Sequence, residues 1–361
     1  MVVADATSVA GQKSKTASAG KRCHQGSDIP GISYRKSDTE VVVTETQDSI
    51  ADLEQLPFPD WSHVDLDLYA KRVNMMAMLK GNRYALLFTS RGCPYRCNYC
   101  HNIFGKRFVC QSPERVVKEI ELLHETYGVT EFQIVDDVFN LHKRRVIAIM
   151  EEVHRRWPGK MHFTFPNGLR GDILDEEVLD ALKLGGTYAM AIAIETATPR
   201  LQDLVGKHLD IDKTFEMIGQ ANERGICVTG FFMLGFPTET VAELQATVQF
   251  ALRSKLALAW FFTVIPQPET PIYALAAKED QQALVATTRD HEEGKVGYHH
   301  KMGASWYERA YGFPLRAYAG RARRRFYLSP SRILRILRRI PFRAVLRDGW
   351  VFLRIYIKEE L

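Results

Sequence analysis

The sequence predicts an α/β fold built on a parallel sheet of six strands, followed by a helical C-terminal extension. Three observations lead there. Six short apolar runs rich in β-branched and aromatic residues recur from Tyr84 onward: "YALLFTS", "EFQIV", "MHFTF", "YAMAIAI", "CVTGFFML" and "AWFFTVI". Segments of helical period lie between them. Each interval is long enough for the crossover that joins parallel strands.

The first interval shows how the helices are punctuated. In "SPERVVKEIELLHETY", Ser112 is placed to cap, Pro113 suits the first helical position and Glu114 favours the first turn. Pattern alone leaves a doubly wound open sheet and a partial or complete barrel as alternatives. In either, ligands meet the C-terminal ends of the strands. The organisation expected is a disordered or linker segment at 1–28, an irregular strap packed on the barrel at 29–82, a core at 83–275, and a mostly helical extension with a basic tail at 276–361.

At 361 residues and 46% hydrophobic content the chain can fill a large core. No apolar run approaches the roughly 20 residues of a membrane-spanning helix, and the N-terminus lacks the apolar centre of a secretory signal, so a cytoplasmic enzyme is expected. The net charge of +5 is unevenly spread, because residues 321–361 hold twelve Arg/Lys against Asp348, Glu359 and Glu360. The remainder of the chain is therefore acidic, and arguments about anionic partners belong to the tail.

Of six cysteines, Cys23, Cys110 and Cys227 are scattered, whereas Cys93, Cys97 and Cys100 crowd into "CPYRCNYC" at the end of the first strand. Scattered single thiols are not a secreted disulfide framework. Three thiolates at this spacing can converge on one centre as soft ligands for zinc or an iron–sulfur cluster. A closed zinc site needs a fourth ligand, for which His101 is the local candidate. An incomplete set at the catalytic edge of an α/β fold is instead what a chemically open metal position requires.

The motif, with an aromatic before its last cysteine, resembles the radical S-adenosylmethionine (SAM) superfamily, and the resemblance extends over roughly residues 29–340. It implies a partial (β/α)6 barrel, a [4Fe-4S] cluster on Cys93, Cys97 and Cys100, and SAM on the remaining iron, cleaved reductively to a 5′-deoxyadenosyl radical. Further landmarks follow in order. "IVDDVFN" places Asp136 and Asp137 near the methionine ammonium, with a helix cap or turn as the plain alternative. "PNGLRGDIL" presents Asn167 and Arg170, the latter as a carboxylate fork or an ion pair with Asp172 or Asp175. "IAIETATP" brings Glu195 and Thr196 to the ribose and carboxylate, Thr198 being also a good helix cap before Pro199. "GFFMLGFPTET" supplies Gly230 and Gly235 for close backbone approach to the adenine side of the cofactor, and Glu239 as a cap or charge on the next helix. In "IPQPETPIY" Glu269 stands where the family has glycine, which puts the turn geometry in doubt.

The order of segments further resembles the cobalamin-binding class containing anaerobic magnesium-protoporphyrin ester cyclase and lipid or natural-product methyltransferases. That class carries a cobalamin domain ahead of this segment. About 28 residues cannot form one, and no Asp-x-His-x-x-Gly signature occurs. A domain encoded separately or upstream, a misassigned start, and chemistry without cobalamin on this chain all remain open. The resemblance implies methylation, hydrogen abstraction or cyclisation of a lipid-like, tetrapyrrole or secondary-metabolite substrate, and an electron donor such as flavodoxin or ferredoxin. The alternatives are a tRNA-modifying radical enzyme, although a basic domain with interleaved aromatics is missing, and a non-catalytic iron–sulfur remnant. In the tail, Ile333, Ile336, Leu337 and Ile340 alternate with Arg332, Arg335, Arg338 and Arg339. An interfacial helix on anionic lipid and a packed helix with a solvated Arg face both fit.

Overall fold

A computed structural model describes residues 26–45, 50–70, 80, 83–100, 103–294 and 304–337. They fall into two compact units, residues 1–51 and 52–361. In the first, Ser33–Arg35 (β1) and Val41–Val43 (β2) form an antiparallel ladder, extended where the Gly31 amide donates to the Glu45 carbonyl. Most of the segment expected to be a linker, the tail beyond residue 337 and His101 lie outside the described residues.

The larger unit carries the sheet. After α1 (Leu66–Ala70) come β3 (Tyr84–Leu87), β4 (Ser90–Arg91), β5 (Val109–Cys110), α2 (Pro113–Tyr127), β6 (Glu131–Ile134) and α3 (Lys143–Arg156). Then follow β7 (His162–Leu169), α4 (Glu176–Leu184), β8 (Thr187–Glu195), α5 (Pro199–Leu204), α6 (Ile211–Glu223), β9 (Cys227–Leu234), α7 (Val241–Arg253) and β10 (Leu258–Thr263). Strands β3, β6, β7, β8, β9 and β10 lie side by side in that order, all parallel.

Strand order decides between the alternatives the pattern left open. A doubly wound sheet reverses direction at a switch point. Here every strand joins beside its predecessor, and repeated right-handed crossovers put the helices on one side. The result is a six-stranded partial barrel. Alternation along the strands sends Leu87, Phe132, Phe163, Ile192, Phe232 and Phe261 into a core shared with Ile120, Leu123, Ile149 and Val153 of the helices. The opposite strand faces look into the barrel.

Local chemistry follows expectation at α2, where the Ser112 hydroxyl accepts from the Arg115 amide and Pro113 occupies the first turn. It departs after β9. Glu239 does not cap the following helix; Thr240 does, in a reciprocal box with Glu243. The Glu239 carboxylate instead accepts the Gly235 and Phe236 amides at 2.6 and 2.9 Å. Glu269 adopts φ 65, the left-handed backbone that glycine supplies freely. With Pro268 before it and the Thr270 amide and hydroxyl both donating to the Gln267 carbonyl, the segment is a type II-like turn. The turn is kept despite the missing glycine.

Helices α8 (Pro271–Glu279), α9 (Gln281–Glu292), α10 (Trp306–Tyr311), α11 (Leu315–Tyr327) and α12 (Pro330–Leu337) complete the unit. The Tyr327 hydroxyl accepts from the Ala259 amide and donates to its carbonyl, which satisfies the unpaired side of edge strand β10. Arg332 reverses an expectation for the tail. It is 4% exposed, stacks 3.4 Å over Phe326 and donates to the carbonyls of Leu252 and Ser254 at the end of α7, whereas Ile333 and Leu334 are exposed. No helix among the described residues is long and apolar enough to cross a membrane.

Glu239 generates a prediction. Burial pushes its carboxyl up to about 8 from an ordinary 4.5. A raised carboxyl favours the folded state while protonated, so its contribution is complete below 4.5 and is lost as pH rises towards 8. Urea unfolding at pH 5.5 and 8.5 should show wild type losing stability with a slope of up to about 1.4 kcal/mol per pH unit that Glu239→Gln lacks.

Candidate active site

The three cysteines occupy a long hairpin. Its stem is β4 paired with β5, Ser90 opposite Cys110 and Arg91 opposite Val109. Gly92 follows at φ 80, and a Cβ there would lie 2.1 Å from the Arg107 carbonyl oxygen, so the two legs touch only because the residue is glycine. The Cys93 amide then donates to the Gly105 carbonyl.

The tip of the hairpin reaches across the barrel mouth. The Asn98 amide donates to the Val205 carbonyl at 2.9 Å, and its side chain donates to Leu204 at 2.6 Å, both beyond β8. The Asn98 carbonyl accepts the Ile272 amide at 3.2 Å, in the first turn of α8 beyond β10. A loop that leaves the first strand of the sheet is thus tied to the segment after the last.

Below it lies a cavity of about 500 Å³ lined by Cys93, Cys97 and Cys100, at the C-terminal ends of the strands. Asp137, Asn167, Arg170 and Glu195 line the same cavity. Asp137 comes from the turn after β6 and lies within electrostatic range of Cys93 and Cys100. The Asn167 side chain donates to the Val135 carbonyl at 2.6 Å. Arg170 is engaged by protein: it pairs with Asp172 at 2.8 Å, donates to the Lys207 carbonyl at 2.8 Å and stacks 3.9 Å from the centre of the Tyr95 ring. The ion-pair alternative for Arg170 is therefore the one realised.

Glu195 sits on strained backbone. Its φ of 66 and the bond from the Thr196 amide to the Ile194 carbonyl define a three-residue turn of a rare kind at the end of β8. Strain of this kind persists where surrounding structure over-determines it, commonly at functional sites. Lys207 supplies part of that constraint, its ammonium lying 3.1 Å from the Glu195 carboxylate with both side chains about nine-tenths buried. The same ammonium reaches the Tyr99 hydroxyl at 3.4 Å.

Four residues expected at the cofactor do not line the cavity. Asp136 is 2% exposed and its carboxylate accepts the Thr89 amide, the Thr89 hydroxyl and the Ser90 hydroxyl, each at 2.6 Å. Thr196 is buried, with its hydroxyl 3.3 Å from that of Thr247. A Cβ on Gly230 would strike Leu256 at 2.6 Å, and one on Gly235 would strike Leu315 at 2.5 Å, so both glycines admit close packing of neighbours. Thr198 takes the N-cap position of α5 without a capping bond from its side chain.

Sequence reasoning missed Lys207, Tyr95 and the apolar wall of Phe104, Phe231 and Phe262. A signal existed for Lys207, since a carboxylate at a buried strand end demands a cation. The aromatics carried none, because the same strands place other phenylalanines in the core.

The thiols fit a polynuclear centre. Desolvation and the neighbouring Cys97 and Cys93 sulfurs push the Cys100 thiol up to about 11, and desolvation also raises Cys93. Converging thiolates in this pocket therefore need a cationic partner. Among the described residues no three His, Cys, Asp or Glu side chains gather tightly enough to hold a single metal ion. Three soft thiolates sharing one cavity suit an iron–sulfur cluster.

Comparison with known proteins agrees. Residues 87–251 match the model of the Radical SAM superfamily. An uncharacterised methyltransferase of Pyrococcus horikoshii is 30% identical over 250 residues, which are 69% of this chain and 52% of that protein. The cytidylyl-2-hydroxyethylphosphonate methyltransferase of Streptomyces wedmorensis is 31% identical across 60% of this chain and 42% of its own. The anaerobic magnesium-protoporphyrin IX monomethyl ester cyclase of Rubrivivax gelatinosus is 28% identical across 62% and 39%. The chain thus spans about half or less of these relatives. Among solved structures, the radical SAM methyltransferase TsrM from Kitasatospora setae, with tryptophan and a SAM analogue bound, superposes with a TM-score of 0.55 at 20% identity, covering 72% of this chain and 50% of that one. At that identity the likeness concerns the fold.

The buried pair yields a stability test. Lys207→Met leaves the Glu195 charge unpaired and should cost about 3–5 kcal/mol. Adding Glu195→Gln should recover part of the loss, read as a non-additive double-mutant cycle in urea.

Proposed function

We propose, from the premise that residues 87–251 constitute a radical SAM domain, that this chain cleaves SAM reductively to methylate, cyclise or abstract hydrogen from an apolar small molecule. The observation that carries this reading is the convergence of Cys93, Cys97 and Cys100 with Asp137 on one cavity at the C-terminal ends of the strands. When bound, a [4Fe-4S] cluster on the three thiolates, together with SAM, supplies the electron that breaks a carbon–sulfur bond and the 5′-deoxyadenosyl radical.

The residues of the chain define the rest. Asp137 is half-buried and carries no hydrogen bond among the described residues, so its carboxylate is available to the methionine ammonium beside Cys93 and Cys100. Glu195 and Lys207 set opposite charges at the cavity wall, and Arg170 holds the Lys207 backbone in place. Burial of these groups keeps water from the reacting centre and strengthens their fields.

The substrate class follows from the opposite wall. Phe231 and Phe262 meet edge to face with ring centres 6.0 Å apart, and Trp260 stacks on Phe262. Phe104 of the cysteine hairpin lines the same cavity and meets Phe88 edge to face. Aromatic surface in the cavity suits a tetrapyrrole, lipid-like or aromatic secondary-metabolite substrate over a charged polymer. The name of the magnesium-protoporphyrin cyclase relative is in keeping with that class, whereas that of the cytidylyl-2-hydroxyethylphosphonate methyltransferase names a charged nucleotide substrate. Between Gly92 and Cys110 the hairpin carries Arg96, Lys106 and Arg107 and no carboxylate, which favours an acidic electron donor of flavodoxin or ferredoxin type. Cobalamin, where used, would come from sequence outside the domain described.

Two measurements test this. Anaerobic reconstitution followed by dithionite and SAM should yield 5′-deoxyadenosine or S-adenosylhomocysteine; neither product from a chain with a loaded cluster would sink the reading. Phe231→Ala with Phe262→Ala should leave substrate-free SAM cleavage within about twofold of wild type while abolishing stimulation by an apolar substrate. Equal loss of both activities would assign the aromatics to the cofactor instead.

A further inference from the structure

Asp136 stands at the end of β6, one residue from the cavity, and does not enter it. Its carboxylate is spent on the neck of the cysteine hairpin. One oxygen accepts the Thr89 amide at 2.6 Å, and the other accepts the hydroxyls of Thr89 and Ser90 at 2.6 Å. Arg145, 7% exposed on α3, completes the arrangement from the opposite side. Its guanidinium donates to the Thr89 carbonyl and to the Gln111 carbonyl, both at 2.8 Å. The Gln111 amide in turn donates to the Thr89 carbonyl at 2.9 Å, and the Gln111 side chain donates to the Phe88 carbonyl at 3.2 Å.

Every polar group of Thr89 is therefore satisfied by a fixed partner, and the two legs of the hairpin, Thr89 on one and Gln111 on the other, are joined through Arg145. Two buried charges are directed at peptide groups of the hairpin neck. A buried charge is expensive, and Arg145 leaves its Nη1 without a hydrogen-bond partner among the described residues, whereas charge-assisted bonds to backbone are about twice as strong as neutral ones. The cost is justified where a loop must hold one geometry. Cys93 lies four residues beyond Thr89, across a glycine whose contact with the Arg107 carbonyl leaves no slack.

We propose that Asp136 and Arg145 are positioning residues for the cysteine loop, clamping its neck so that Cys93, Cys97 and Cys100 are presented in the spacing a cluster requires. The clamp rests on the functional reading above only for what the loop holds; the clamp itself is a property of the protein without the cluster. Stiffness at the neck fixes where the sulfurs sit, and sulfur position and surrounding hydrogen bonds set the potential of an iron–sulfur centre.

The test uses the full chain with and without its cluster. In the apo chain, amide exchange of residues 89–111 should accelerate at least tenfold in Asp136→Asn and further in Asp136→Ala, while the amides of β8 and β9 keep wild-type rates. After anaerobic reconstitution with iron and sulfide, Asp136→Ala should hold at most half the wild-type iron and labile sulfide, with Asp136→Asn between. The fraction that does load should show a shifted midpoint potential and altered g-values of its reduced electron paramagnetic resonance spectrum. A residue serving only global stability would lower the melting temperature and leave potential and spectrum unchanged. Should Asp136→Ala fail to fold, the Thr89→Val/Ser90→Ala double variant removes both hydroxyl donors while sparing the carboxylate, and the same changes are expected at smaller size. Wild-type exchange rates at the hairpin, or full loading with wild-type potential and spectrum, overturn the proposal. A wild-type chain that binds no iron–sulfur cluster contradicts the functional reading, and the exchange comparison then decides the clamp by itself.

Discussion

The hydrogen bonds of the cysteine hairpin across the barrel mouth are the constraint on which the rest of the site depends. The six strands form an open sheet, with β3 at one edge and β10 at the other. The hairpin that leaves β3 is tied through Asn98 to Val205 beyond β8 and to Ile272 beyond β10. Those bonds bring residues from distant crossovers to one cavity and set Tyr99 beside Lys207. Without them the thiols would belong to a loop of some twenty residues whose closure entropy alone argues against a single conformation.

Strain and buried charge concentrate in the same neighbourhood. Glu195 takes backbone suited to glycine yet retains a side chain, and the carboxylate is held by a buried ammonium. Arg170 is engaged by Asp172, Tyr95 and the backbone of Lys207. Charges at the mouth thus form two kinds: those directed away from the cavity at the hairpin neck, such as Asp136 and Arg145, and those lining the cavity, such as Asp137, Arg170 and the Glu195–Lys207 pair. Only the second kind can respond to a ligand. The distinction depends on which way a side chain leaves the end of its strand.

That dependence explains how the sequence succeeded and fell short at the site. The adjacent residues Asp136 and Asp137 look equivalent in "IVDDVFN", but consecutive residues of an extended chain point to opposite sides. One reaches the hairpin neck and the other the cavity. Glycines at 230 and 235 were expected to bring backbone to the adenine side of the cofactor, whereas the close approach found there is that of Leu256 and Leu315. The departure at Glu269 was visible in the motif, whereas its left-handed backbone is set by the turn from Gln267 to Thr270.

The sequence by itself determined the six strands, the parallel class and the crowding of three soft thiols into one loop, because periodicity, crossover length and residue spacing are local properties of the chain. Its spacing also located the thiols at the end of the first strand. Only the tertiary structure decided that the strands run in sequential order around a partial barrel and that Arg332 turns inward against α7. It alone decided which polar residues face the cavity and which brace it. Those outcomes depend on partners far away in sequence, among them Thr89 with Asp136, Glu195 with Lys207, and Asn98 with Ile272, and a contact between distant segments leaves no mark in the spacing of either one.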